Sequence, residues 1–179
     1  MAMARRTAPG FTLLELAIAL AITALLTAMA VPSYNALVAR QRLQATAEHL
    51  RADIALARQE AGRRAQPVHL VFQPGERWCY AIGTRPAGDC LQATAHPASG
   101  LIKVVRGADQ PGVQLLAATP MAIDSRTGGA LGPGGLARFA SAEGQQLQVR
   151  LGALGHASIC APGASVAGKP PCPPGPDGR

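Results

Sequence analysis

Glu15 stands at the edge of a stretch that otherwise carries no charge. From Leu16 to Ala39 there are 24 uncharged positions, and 22 of the 29 residues from Phe11 to Ala39 are apolar. A carboxylate beside lipid-like sequence is costly to desolvate, so an ionisable group at that depth marks function exercised with a partner. The second group of reactive residues is the four cysteines, which fall as Cys79/Cys90 and Cys160/Cys172. Three connectivities are possible and spacing alone does not choose among them; the local pairs are favoured. Each would close a loop of roughly ten residues, worth about 2–3 kcal/mol in the chain-entropy picture. Zinc is the competing use of these thiols, but there is no C-x-x-C. His49, His69, His96 and His156 are dispersed and have no nucleophile partner in the sequence. No P-loop, G-x-S-x-G or dinucleotide fingerprint occurs. An enzyme, a metal site and a bound cofactor are therefore not expected.

These residues need elements to hold them. The apolar run is long enough to cross a bilayer core of about 30 Å as a helix, and its Leu, Ala, Ile and Met content suits one. Arg5 and Arg6 precede the run and Arg40 follows it. The positive-inside tendency then keeps residues 1–10 cytoplasmic and exports the rest. Pro32 lies within the run, where it removes a helix donor and should kink or locally melt the helix. Beyond Arg40 the residues Ala47, Leu50, Ile54, Ala57 and Ala61 recur at spacings of three and four, one apolar stripe on a continuing helix. Arg40, Arg42, Glu48, Arg51, Asp53, Arg58, Glu60, Arg63 and Arg64 mostly fall off that stripe. Gly62 weakens the helix end and Pro67 finishes it.

After Pro67 short β-like runs alternate with Gly/Pro turns. The expected strands are Val68–Phe72, Trp78–Ile82, Leu101–Val105, Gln114–Leu116, Leu136–Phe139, Leu147–Leu151 and Ala157–Cys160. Residues 127–179 hold 12 Gly and 7 Pro, so loops there are long. An α+β architecture follows: one long N-terminal helix, half apolar and half amphipathic, packed on an antiparallel β head.

The segment Gly10-Phe11-Thr12-Leu13-Leu14-Glu15 resembles the class III leader of type IV pilins and type II secretion pseudopilins. That resemblance implies cleavage between Gly10 and Phe11 by a prepilin peptidase at the cytoplasmic face, with N-methylation of Phe11. Glu15 becomes the fifth mature residue and pairs with the N-terminal amine of a neighbouring subunit during assembly. Pairing offsets the cost of a carboxylate in a low-dielectric helix bundle. Pro32 also sits where pilins often carry a proline. The stretch Ala55-Leu56-Ala57-Arg58-Gln59-Glu60-Ala61, Arg63-Arg64, the Trp78-Cys79 pair with Cys90, and the late Cys160 and Cys172 resemble the GspH/FimT family of minor pseudopilins and minor pilins more narrowly. The implied partners are the prepilin peptidase, other minor and major pilins or pseudopilins, and an inner-membrane assembly platform. The implied location is the inner membrane as a single pass, with the head periplasmic, and then a periplasmic filament. On this reading residues 1–10 are the leader, 11–39 the transmembrane and assembly helix, 40–66 its amphipathic half, 67–168 the head and 169–179 a Pro/Gly-rich tail.

Two rival readings remain open at this point. Ala28-Met29-Ala30 resembles a signal-peptidase site, which would release a secreted periplasmic binding module; Glu15 argues against it. The net charge of +7 raises DNA binding for natural transformation, which in FimT-like minor pilins rests on a Gly-Arg-x-Arg motif. The matching place here reads Gly155-His156-Ala157-Ser158, with both arginines missing. Arg138, Arg150, Lys169 and Arg179 remain as possible phosphate contacts, since these need only charge and reach. The positive excess is spread evenly, however, and six aromatics are few for a base-stacking surface.

Overall fold

The computed structural model describes residues 12–86, 88–92 and 100–173. The chain divides into two compact units, Met1–Leu37 and Val38–Arg179, and helix α1, Leu13–Arg64, contributes to both. In the first unit every described side chain from Thr12 to Asn35 is exposed. By length and composition this helix can cross a membrane. Two of its hydroxyls bond back to the helix, as a lipid environment would demand: Thr23 Oγ1 donates to the Ala19 carbonyl at 2.7 Å, and Thr27 does the same to Thr23.

In the second unit the stripe is realised. Leu43, Ala47, Leu50, Ile54, Ala57 and Ala61 are all buried. The helix ends at Arg64, followed by Ala65 in the left-handed region at φ 52°. Arg63 and Arg64 both bind Glu60 there, at 2.7 Å each. Their hydrogen bonds, and then their charge, lower its carboxyl pKa to about 2.

Two four-stranded antiparallel sheets make the head. The first runs in the order β3 (Leu101–Arg106), β2 (Cys79–Gly83), β1 (Val68–Gln73), β5 (Met121–Ile123). The second runs β4 (Val113–Ala118), β6 (Gly135–Ser141), β7 (Gln146–Leu151), β8 (Ala157–Cys160). All seven expected strands are present. Strand β5 was not expected, because three residues between Thr119-Pro120 and Asp124 are too few to show an alternation. It is recruited by β1, through Val68 opposite Ile123 and Leu70 opposite Met121.

Strand alternation explains how each sheet is buried. Leu70 stands opposite Ile82 and Phe72 opposite Tyr80; Leu70, Ile82 and Tyr80 belong to the core shared with the helix stripe, with Phe72 packed against it. Cys79 and Ala81 point the other way, into a small cluster with Cys90 that Leu91, Leu101 and Val104 pack against. Strand β2 is consequently buried on both faces. Phe139, Leu147 and Val149 bring the second sheet into the main core. Trp78 couples the sheets: its indole N–H donates to the Val113 carbonyl at 2.8 Å, and its ring lies edge-on to Phe139 at 5.5 Å. Gly107 lies against that ring, where an added Cβ would stand 2.7 Å from the indole nitrogen.

One charged residue of the helix departs from the expected pattern. Asp53 falls on the buried face, being only 4% exposed, because it is three positions after Leu50 and four before Ala57. It accepts from Tyr80 Oη at 2.8 Å and from Lys103 Nζ at 2.6 Å. Thr46 is the other polar residue on this face, with its hydroxyl 3.0 Å from the Arg42 carbonyl and 3.0 Å from Gln110 Oε1. Burial pushes the Tyr80 phenol pKa upward, and the neighbouring Asp53 charge and hydrogen bond add to it.

Asp53→Ala leaves a buried phenol without its acceptor and should cost about 3 kcal/mol in denaturant unfolding. Tyr80 also sets an alkaline limit. The unfolded phenol ionises near its ordinary value of 10.0 while the folded one holds its proton. Stability is therefore whole below pH 10 and falls as pH rises beyond it. In Tyr80→Phe this alkaline component should disappear, as read from denaturation midpoints against pH.

Candidate functional sites

The start of α1 places the most informative carboxylate. Thr12 Oγ1 accepts the Glu15 backbone N–H at 3.2 Å, and its carbonyl accepts the Leu16 N–H at 3.2 Å. Thr12 is therefore the N-cap, and Thr-x-x-Glu is the spacing of a capping box. Glu15 sits in the first helical turn, where the positive end of the helix dipole favours a carboxylate. The cap can be read in the sequence as Thr12 to Glu15 but is hidden there inside a longer motif. Gly10, Phe11, His96 and Arg179 lie outside the described residues. Helical structure is continuous through position 32; the side chain of Pro32 lies outside the description.

The cysteines form two disulfides, Cys79–Cys90 and Cys160–Cys172. The first anchors the loop after β2 over the outer face of the first sheet. The second ties the C-terminal segment to β8. Hydrogen bonds reinforce it, from the Ala161 N–H to the Pro170 carbonyl at 2.9 Å and from the Cys172 N–H to the Ala161 carbonyl at 3.3 Å. Among the described residues no three His, Cys, Asp or Glu side chains converge as metal ligands.

Of the possible phosphate contacts, Arg138 and Arg150 share the outer face of the second sheet, since Leu136 pairs with Arg150 and Arg138 with Gln148. Each is engaged within the molecule. Arg138 donates to Gln148 Oε1 at 3.3 Å and Arg150 to the Pro173 carbonyl at 3.0 Å. Lys169 is drawn away to Glu48 on the helix, at 3.2 Å.

A second surface was not anticipated. A groove of about 350 Å³ runs between the helix and the β7–β8 turn, with Glu48, Arg51, Ala55, Arg58 and His156 on its walls. The turn is tight: Gly155 donates to the Gly152 carbonyl at 2.9 Å and Gly152 to the His156 carbonyl at 3.0 Å. Arg58 and His156 are far apart in sequence, so only the fold brings them together.

Residues 46–155 match the family model of the type II transport protein GspH. Residues 5–31 match the prokaryotic N-terminal methylation motif. Comparison with curated proteins and with solved structures finds no match.

The cap can be tested alone. Thr12→Val removes the acceptor for the Glu15 N–H and should weaken the first turn by about 1 kcal/mol. Amide hydrogen exchange of full-length protein in micelles should then speed up about fivefold at Glu15, and hardly at residues beyond Leu20.

Proposed function

This chain belongs to the GspH family of type II transport proteins and carries the prokaryotic N-terminal methylation motif, and from that premise we propose how it works as a GspH/FimT-like minor pseudopilin. The subunit waits in the inner membrane as a single pass, with residues 1–10 cytoplasmic and the head periplasmic. A prepilin peptidase cuts between Gly10 and Phe11 and the new amine of Phe11 is methylated. The processed subunit then joins the tip of a pseudopilus or pilus on an inner-membrane assembly platform, beside other minor and major subunits, and supports protein secretion or pilus biogenesis. Its role is structural rather than catalytic.

The observation that carries this reading is Glu15, capped by Thr12 at the head of an apolar helix whose described side chains are exposed through Asn35. Exposed Leu13, Leu14, Leu16, Ile18 and Leu20 require lipid or other helices around them. When neighbouring helices replace lipid, Glu15 needs a cation, and the processed Phe11 amine of an adjacent subunit supplies one. A mismatched position leaves the carboxylate unpaired at a cost of several kcal/mol. The pair therefore acts as a register check during assembly. Pro32 removes one backbone donor from the same helix and offers it a place to bend.

Mass spectrometry of the mature protein should find N-methyl-phenylalanine at Phe11; a chain starting at Val31 would instead support signal-peptidase release. Glu15→Ala should leave membrane insertion intact and reduce incorporation into filaments by tenfold or more, on the order of the cost of one unpaired charge. Glu15→Gln should behave likewise, because the amide keeps the shape and loses the charge.

A further inference from the structure

The groove beside the helix has the features of a built recognition surface. Arg58 is half-buried, and among the described residues it has neither a hydrogen bond nor an ion pair. Its side chain is nonetheless held in place. It lies on the backbone of Gly128, where an added Cβ would stand 2.7 Å from Arg58 Nε. Gly128 has φ +66° and is packed in turn by Gly155, at φ +77°, whose added Cβ would fall 2.0 Å from the Gly128 carbonyl oxygen. The Ala130 N–H donates to the Ala153 carbonyl at 3.0 Å and locks the two loops together. Gly155 has no room for a side chain and Gly128, at positive φ, favours having none, so the two bring bare backbone up beneath one unpaired guanidinium.

The surroundings define the occupant. Glu48 is already shared, with Arg51 at 2.8 Å and Lys169 at 3.2 Å. Three cations and His156 therefore face one carboxylate, and the positive excess centres on Arg58. Leu154 stands in the turn before His156, 78% exposed. A partner with a carboxylate next to an apolar side chain would meet both features. A nucleic-acid backbone fits less well, because Glu48, with its side chain 39% exposed, breaks the positive surface that a run of phosphates would follow.

We propose that this groove docks an acidic segment of a neighbouring pseudopilin head, with a carboxylate on Arg58 and an adjacent apolar side chain on Leu154. The identity of the neighbour rests on the filament reading; the recognition chemistry does not, and it can be tested without filaments.

The probe is a fluorescent peptide, Leu-Glu-Leu-Asp-Leu with blocked termini, titrated at low salt into the full-length protein in detergent micelles. Its Leu-Gln-Leu-Asn-Leu counterpart and a single-stranded oligonucleotide serve as comparisons. The acidic peptide should bind and the amide peptide should not. Arg58→Ala should weaken binding about tenfold, as expected when one partner of a half-buried charge pair is removed. Glu48→Gln should tighten it by releasing Arg51 and Lys169. Ala55→Glu, at an exposed helical position on the groove wall, should abolish binding and leaves the core untouched if Arg58 variants fold poorly. Circular dichroism melting confirms that each variant folds. Equal binding of both peptides, unchanged affinity in folded Arg58→Ala and Ala55→Glu, or Arg58-dependent binding of the oligonucleotide in place of the acidic peptide would each overturn the proposal. Such a result would leave the filament reading standing on Phe11 and Glu15.

Discussion

The packing of one helical stripe under two sheets is the contact on which the head depends. Among the described residues both four-stranded sheets contribute to the one core that this stripe enters. Leu43, Leu50 and Ile54 supply the bulk, each contributing about 1.5–3 kcal/mol when fully buried, while Ala47, Ala57 and Ala61 keep the surface flat enough for close approach. Six stripe residues are withdrawn from water along with Leu70, Ile82, Phe139 and Val149. Trp78, bonded to Val113 and edge-on to Phe139, keeps the sheets in one core.

An apolar stripe is a permissive contact, because a helix can rotate or slide along it at modest cost. Asp53 removes that freedom. Its carboxylate has two donors, Tyr80 and Lys103, on adjacent strands β2 and β3. Turned by one position, the helix would bury the carboxylate without partners, which is far more costly than a poorly matched methyl group. Buried polar pairs of this kind are weak sources of net stability but strong sources of register. Fixing the helix rotation also fixes its opposite side, where Glu48, Arg51, Ala55 and Arg58 face the β7–β8 turn. The inner carboxylate and the outer groove are thus two consequences of one helix setting.

Much of this was legible in the sequence because it is local. The Thr12 to Glu15 spacing and the uncharged run are contiguous. The stripe repeats at helical spacing, and seven strands show alternation between turn residues. The disulfides join cysteines close in sequence. What escaped is what distance in the chain conceals. Strand β5 exists because β1 offers it an edge, and its three residues have no pattern of their own. Asp53 looked like one more surface charge because its donors come 27 and 50 positions later. The bed under Arg58 needs Gly128 and Gly155, two of twenty glycines that nothing in the sequence sets apart.

The charges divide the work between the helix halves. In the first half a single carboxylate is set against an apolar surface, so its energy is decided by whatever cation comes near, and a low-dielectric neighbourhood magnifies the difference between a right and a wrong position. In the second half the charges are partly exposed and largely paired. Glu60 is held by two arginines and Glu48 by two cations, so each contributes little to stability. Selectivity at such a surface comes from the charge left over, because paired groups have little to gain from a new partner. Among the described residues on the groove wall, Arg58 is that remainder. On the proposed reading, such a subunit uses one strong, buried pairing to judge its axial position and one weaker, solvated pairing to distinguish its lateral neighbour.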